Sequence, residues 1–243
     1  MNTNIFLYSL LILVHFEIFM IVWSMITTIV IDPGNPEIFW GFYLSNTENK
    51  RWKYCLICHI FKPERCHHCS KCGRCVLGMD HHCPWLFSCI GYYNRWYFML
   101  TLLWSNITFI TILIINIKTI LNIINYFNKG KGIDNVLNWL DLLGLFIWYF
   151  LVLLIFITLL KFTYFHYKLI RNNNTTLETL DAERKNVKPI WDYDLGIKWN
   201  FDSVFGPKWY SYVFPITSAP MTSDGIVWMK KDNLFSESLI QDN

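Results

Sequence analysis

The chain has 243 residues, of which 53% are apolar, 18% aromatic and only 16% charged, with a net charge of +3. An ordinary soluble domain could not cover so much apolar surface, and so small a positive charge gives no basis for a nucleic-acid binder. All eight cysteines and five of the seven histidines fall between residues 55 and 89.

Three segments are long and apolar enough to cross a bilayer, which takes about 20 residues. They are 5–31, 96–117 and 142–165. The first has no basic stretch ahead of it and is too long for a signal peptide. Asp32-Pro33-Gly34 ends it, since proline and glycine do not continue a helix. Within it, His15 and Glu17 are a cost that the sequence leaves unexplained. No basic residue precedes Lys50. Eight lie in 50–95, ten from Lys161 onward, and only Lys118, Lys129 and Lys131 between the second and third spans. The positive-inside rule then puts the cysteine-rich block and the C-terminal region in the cytosol, with a lumenal loop between those spans and the N-terminus outside.

The expected organisation is a first visible span over 1–34, a cysteine-rich domain over 35–95 and a span over 96–122. A lumenal loop follows over 123–141, then a span over 142–165, a cytosolic C-terminal element over 166–217 and a tail over 218–243. Residues 35–54 read as a linker, and 55–90 as loop-rich and organised by metal, with little core of their own. No internal repeat is evident. Thr175, followed by Glu178, reads as a capping box that starts a short helix. Residues 191–217 are aromatic and turn-rich, suited to a membrane interface. Residues 218–243 carry no readable signal.

Cys55-x-x-Cys58, Cys69-x-x-Cys72 and Cys72-x-x-Cys75 have zinc-knuckle spacing. Such spacing favours thiolate–metal ligation in a reducing compartment over disulfides. Two closed tetrahedral sites need eight ligands, and the block offers more. Interleaved histidines favour zinc over an iron–sulfur cluster. Metal binding should then supply most of the folding free energy of the block. In the surplus, Asp80-His81-His82-Cys83 brings a carboxylate, an imidazole and a thiol together. A base beside a cysteine raises its thiolate fraction, and a carboxylate can fix the tautomer of that base. Adjacent residues of an ordinary strand would not converge, so the expectation is a backbone bent around a metal-bound His82. On spacing alone, Cys83 is equally well another ligand.

The string resembles the DHHC-type zinc-finger protein S-acyltransferases, the integral-membrane palmitoyltransferases. The resemblance rests on KPER at 62–65, HHCSKCGRCVLGMDHHCPW at 67–85, Cys89, Gly91 and Asn94. It extends to Asp32-Pro33-Gly34, TTLE at 175–178 and Asn200 within NFDSVFG. It implies an all-α integral membrane protein, a transmembrane helix bundle with a cytosolic two-zinc cysteine-rich domain. One zinc ion would sit on Cys55, Cys58, His68 and Cys75, the other on Cys69, Cys72, His82 and Cys89. Cys83 would be the nucleophile, His81 its base and Asp80 the orienting carboxylate. Thr176 would support Asp80, Asn200 would tie the C-terminal element to the membrane core, and Trp85 would lie beside the acyl thioester.

The reaction implied is transfer of a long-chain acyl group, usually palmitoyl, from acyl-CoA through a Cys83 acyl-enzyme to cysteines of substrate proteins. A cavity among the spans would gain about 0.8 kcal/mol per buried methylene of the chain. Lys62, Arg65, Lys71 and Arg74 are candidate contacts for CoA phosphates, with a plain basic surface as the alternative. The partners implied are membrane lipid, cysteine-bearing proteins and acyl-CoA, with no nucleic acid. The location implied is the Golgi, the endoplasmic reticulum or the plasma membrane, with the site facing the cytosol. The family usually has four spans; three are visible here, and the other would precede Ile5. Phe87-Ser88 stand where the family commonly has two asparagines, and Cys66 is an extra thiol. Two other readings compete: an inactive membrane scaffold that keeps the zinc module, and a membrane-held zinc-finger adaptor for nucleic acid.

Overall fold

The computed structural model describes residues 3–41, 53–128, 139–187, 193–216 and 224–231. The apolar runs form three long helices, α1 (Thr3–Val30), α2 (Arg95–Asn128) and α3 (Trp139–Arg171). Each holds a stretch long and apolar enough to span a bilayer, at Asn4–Val30, Arg95–Asn125 and Leu142–Arg171. Large apolar side chains such as Ile12, Phe19 and Leu154 stay exposed. Lipid satisfies that exposure, while the helical backbone pairs its own polar groups. Helix α2 continues past 117 through Asn128, so part of the expected loop is helical. Asparagine costs well under about 1 kcal/mol within a helix and does not by itself end one. Residues 129–138 of that loop lie outside the described residues.

The chain divides into two units. The first comprises 1–22 and 101–164. Polar side chains join its helices: Asn106 Nδ2 donates to Thr163 Oγ1 at 2.7 Å, and the Tyr149 hydroxyl donates to the Asn116 carbonyl at 2.8 Å. Glu17 is 1% exposed and accepts a 2.8 Å hydrogen bond from Thr111. The intramembrane carboxyl therefore has a partner on another helix. His15 Nδ1 lies 2.7 Å from the Leu11 carbonyl of its own helix.

The second unit comprises 23–100 and 165–243. It corrects the all-α expectation. Among the described residues, six short strands make three antiparallel hairpins: β1 (Lys53–Cys55) with β2 (Ile60–Lys62), β3 (His67–Cys69) with β4 (Arg74–Val76), and β5 (His81–Cys83) with β6 (Ser88–Ile90). Each Cys-x-x turn reverses the chain so tightly that the flanking residues can pair. These hairpins also have a core, with Cys75, Val76 and Ile90 fully buried.

The Asp-Pro-Gly turn after α1 docks on the hairpins. Leu77 N donates to the Gly34 carbonyl at 3.0 Å, and Asp32 pairs with Arg74 at 2.6 Å. Asn94 is fully buried and closes the entry to α2. It accepts from Gly91 N at 2.8 Å and donates to the carbonyls of Thr28 at 3.0 Å and Cys89 at 2.9 Å.

Helix α4 (Thr176–Lys185) begins with the expected capping box, Thr175 and Glu178 each bonding the other's backbone N–H. Helix α5 (Ile197–Phe205) and a 3₁₀ turn at Trp209–Tyr212 lie in the aromatic region. Asn200 Nδ2 donates to the Arg171 carbonyl at the end of α3, at 2.6 Å.

Among the described glycines, Gly91 meets the closest backbone atoms. A Cβ there would stand 2.7 Å from Val76 Cγ1 and 2.8 Å from the Pro33 carbonyl oxygen. Gly91→Ala should therefore destabilise the protein by about 2 kcal/mol, the cost of overpacking a closed site. Thermal unfolding of the detergent-solubilised chain will read this as a lowered midpoint.

Candidate active site and metal centres

The three hairpins share one register, which is a repeat that the sequence reading did not find. Cys55, Cys69 and Cys83 each close a first strand, opposite Ile60, Arg74 and Ser88. Each turn places one residue in the left-handed region: His59 (φ 55), Gly73 (φ 67) and Phe87 (φ 48). A side chain there costs about 1 kcal/mol or more, so Phe87 carries strain that the turn imposes.

Neighbours on a strand point to opposite faces. In β3, His68 therefore faces one way and Cys69 the other. His68 is paired across the hairpin with Cys75, and His82 in the same manner with Cys89. The result is two four-residue groups, Cys55–Cys58–His68–Cys75 and Cys69–Cys72–His82–Cys89, whose ligand atoms lie within 4.8 Å of one another. The middle hairpin contributes to both groups and so links them. These are the two ligand sets implied by the resemblance.

In the first group, His68 Nδ1 lies 3.2 Å from Cys58 Sγ and 3.7 Å from Cys55 Sγ. In the second, Cys72 Sγ lies 3.4 Å from Cys89 Sγ and 3.4 Å from His82 Nδ1. Bonds of about 2.0–2.3 Å to a tetrahedral ion imply ligand separations of about 3.3–3.8 Å. The residues present fit such an ion in each group.

The third hairpin departs from this scheme. Cys83 occupies the position of Cys55 and Cys69, but Leu86 stands where Cys58 and Cys72 supply a second thiolate. Cys83 joins no metal group among the described residues. His82 faces the second metal group, while His81 and Cys83 share the other face of β5. The alternation of a regular strand achieves the convergence that was expected to need a bent backbone.

His81 Nδ1 lies 2.7 Å from Asp80 Oδ2. That contact leaves Nε2 for the thiol. Among the described residues Nε2 has no hydrogen bond of ordinary geometry, yet His81 and Cys83 are close enough to shift each other's protonation. Burial would lower the His81 pKa, but the Asp80 hydrogen bond and Cys83 outweigh it and push it up to about 9. Burial would raise the Cys83 pKa. His81 and the backbone N–H groups of Leu86 and Trp85 overcome that and lower it. The same turn N–H groups reach the sulfurs of Cys55 and Cys69, from Cys58 and Cys72 at 3.4 Å. Asp80 is fully buried, which alone would raise its pKa. The Arg95 charge and the His81 hydrogen bond hold it well below the usual carboxylate range.

Thr176 reaches Asp80 directly, through its backbone N to Oδ1 at 3.0 Å and its hydroxyl to Oδ2 at 2.8 Å. Three further residues were missed in the sequence. Arg95 lies 3.4 Å from Asp80 Oδ1, and His166 Nδ1 lies 3.8 Å from Oδ2. The Phe98 and His166 rings pack on His81, with centroids 5.2 Å and 5.5 Å away. His166 lies one residue past the apolar run read at 142–165, and only the longer stretch Leu142–Arg171 of the structure makes it an ionisable group within a span.

Other expected residues are distributed differently. Trp85 stands at the hairpin tip, 89% exposed. Lys71 is exposed and Lys62 half-buried. Arg74 is held by Asp32. The Arg65 side chain is 1% exposed and paired with Glu178 at 2.8 Å, so its charge is engaged inside the protein. Burial pushes the Cys66 thiol up to about 12, which keeps it protonated.

The DHHC palmitoyltransferase family matches residues 48–183, a segment that holds both metal groups and the Asp80–His81–Cys83 cluster. The chain belongs to this family. It is 34% identical over 221 residues to "Probable protein S-acyltransferase 14" of Arabidopsis thaliana, covering 82% of this chain and 68% of that one. It is 36% identical over 216 residues to "Probable protein S-acyltransferase 12" of the same plant, covering 84% and 72%. It is 38% identical over 169 residues to palmitoyltransferase ZDHHC15A of Danio rerio, covering 69% of this chain and about half, 49%, of that one.

Because Cys75 belongs to a four-ligand group and Cys66 does not, their replacements should behave differently. Cys75→Ser should lower bound metal by about one ion per chain, as a closed tetrahedral site loses a ligand. Cys66→Ser should leave metal content unchanged. Elemental analysis of the purified variants measures both.

Proposed function

We propose that this protein is a protein S-palmitoyltransferase that carries the acyl group on Cys83 between acyl-CoA and substrate cysteines. One observation carries this reading: Cys83 sits in a knuckle turn but belongs to neither four-residue metal group, and it shares a strand face with a histidine hydrogen-bonded to a buried aspartate. The reading of enzyme class is supported by family membership and by the names of the relatives.

In the first step, the Cys83 thiolate attacks the thioester carbonyl of acyl-CoA. The S–C bond to CoA breaks, and the His81 imidazolium gives its proton to the departing CoA thiolate. In the second step, His81 takes the proton of an incoming protein thiol. That thiolate attacks the acyl-Cys83 carbonyl and releases the Cys83 thiolate. One thioester forms as another breaks, so no external energy source enters. Asp80 keeps Nδ1 of His81 protonated and Nε2 directed at sulfur. Zinc suits the sulfur-rich sets Cys55–Cys58–His68–Cys75 and Cys69–Cys72–His82–Cys89. Its contribution is structural, since neither set leaves an open position.

Three apolar helices and the distribution of basic residues support a membrane protein whose cysteine-rich unit faces the cytosol. Exposed Trp85 is the proposed neighbour of the acyl thioester. Lys62 and Lys71 remain candidates for the CoA phosphates. The partners proposed are lipid, acyl-CoA and cysteine-bearing proteins.

Incubation with labelled palmitoyl-CoA should yield hydroxylamine-labile acylation of the protein. In Cys83→Ser the label should fall to background while both metals remain. Label that survives this substitution would overturn the assignment of Cys83. Absence of label from the fully metallated wild type would favour an inactive scaffold.

A further inference from the structure

Residues 224–231 lie beyond the segment that matches the family, and their sequence gave no signal. In the structure they bend at 225–227 and alternate in burial. Ile226, Trp228 and Lys230 are partly buried, while Val227 and Met229 are exposed. The Asp224 side chain starts the segment by accepting from Ile226 N at 2.9 Å and Val227 N at 3.2 Å. Ile226 and Trp228 then pack against the cluster around Cys55, Cys75 and Tyr92. Trp228 meets Tyr92 edge-on at 5.2 Å. Gly78 leaves it room, since a Cβ there would stand 3.1 Å from the indole. Lys230 pairs with Glu64, which also accepts from the Tyr193 hydroxyl at 3.3 Å.

Arg65 connects this segment to the reaction. Its guanidinium lies 4.3 Å from the Trp228 ring and 4.5 Å from the Tyr193 ring. The guanidinium edge donates to both Glu178 oxygens at 2.8 Å, and to Asn173 through its carbonyl at 2.8 Å and its side chain at 3.1 Å. Glu178 in turn accepts from Thr175 N at 2.8 Å, which fixes the start of α4. The next residue, Thr176, holds both oxygens of Asp80. The Arg65 backbone has φ 60, a conformation that a non-glycine side chain adopts only under constraint. Its carbonyl accepts from Met79 N at 3.0 Å, beside Asp80.

We infer that the 224–231 segment is a clamp on the active site, and that Trp228 is a positioning residue acting through Arg65 and Glu178 on Asp80. The inference rests on the proposed role of Asp80, His81 and Cys83. Two aromatic faces stabilise a desolvated guanidinium by cation–π attraction and restrict it to one plane. That plane fixes the bidentate pair with Glu178. The pair fixes the helix cap from which Thr176 reaches Asp80. Glu64 and Arg65 of the KPER string thus grip the clamp rather than a phosphate. Without the indole, Arg65 keeps its charge but gains freedom, and the Asp80–His81 geometry loosens while the donor's binding surface is untouched.

The test uses the full chain in lipid nanodiscs with palmitoyl-CoA, reading acyl-enzyme formation alongside bound metal. Wild type and Cys83→Ser are run together, so that a failure of the acyl-enzyme reading is seen on its own. Trp228→Ala should lower kcat about tenfold, equivalent to about 1.4 kcal/mol. KM for palmitoyl-CoA and metal content should stay at wild-type values. Trp228→Phe, which keeps a ring over Arg65, should recover most of the rate. Glu178→Ala should lower kcat at least as far, and Trp228→Ala added to it should cost no more, as for residues acting in one path. An unchanged kcat, a shift in KM instead, or a fully additive double variant would overturn the inference. So would parallel loss of metal in Trp228→Ala and Trp228→Phe, which would show that the indole only holds the hairpins together.

Discussion

Strand alternation across the metal groups is the constraint on which the rest depends. A histidine and the cysteine after it point to opposite faces, so His68 and Cys69 serve different metal groups. The same rule sends His82 to the second group and Cys83 away from it. The first two knuckles each give two cysteines to one metal group, and the strand pair of the next hairpin gives that group its histidine and third cysteine. The chain of hairpins has an end, and at that end a thiol is left over.

Reactivity follows from what surrounds the leftover thiol. The knuckle turn that serves metal-binding cysteines offers backbone N–H groups to the Cys83 sulfur. With Leu86 in place of a second cysteine, that sulfur joins neither metal group among the described residues. The positive partner is His81, whose charge is sustained by Asp80. Asp80 itself is fully buried and would be costly as an anion without Arg95 and the two Thr176 hydrogen bonds. Arg95 begins α2, His166 lies near the end of α3 and Thr176 begins α4. Distant parts of the sequence therefore converge on one carboxylate.

Much of this was legible in the sequence for physical reasons. Apolar runs of bilayer length gave the three helices. The Thr175–Glu178 capping box gave the start of α4 to the residue, because capping chemistry is local. Cysteine spacing gave the knuckles, while the division into two ligand sets came from family resemblance. Less legible were features that exist only in three dimensions. The repeated hairpin register is hidden because Leu86 replaces a cysteine and the intervening residues vary. The charge of Arg65 suggested a phosphate contact, but its burial against Glu178, Tyr193 and Trp228 depends on segments more than a hundred residues away. Trp228 had no local pattern to announce it. The all-α expectation failed because three-residue strands are set by metal turns rather than by strand propensity.

The central claim is that the metal frame exists to hold one unligated cysteine beside His81. Peptide mapping of the chain after brief exposure to palmitoyl-CoA, with and without prior removal of metal by a chelator, tests it most directly. The account predicts a single thioester-linked acyl group on the peptide that carries Cys83, lost when the metal is removed. Acylation of Cys66 or of a ligand cysteine in the metallated protein, or undiminished acylation of Cys83 after chelation, would contradict it.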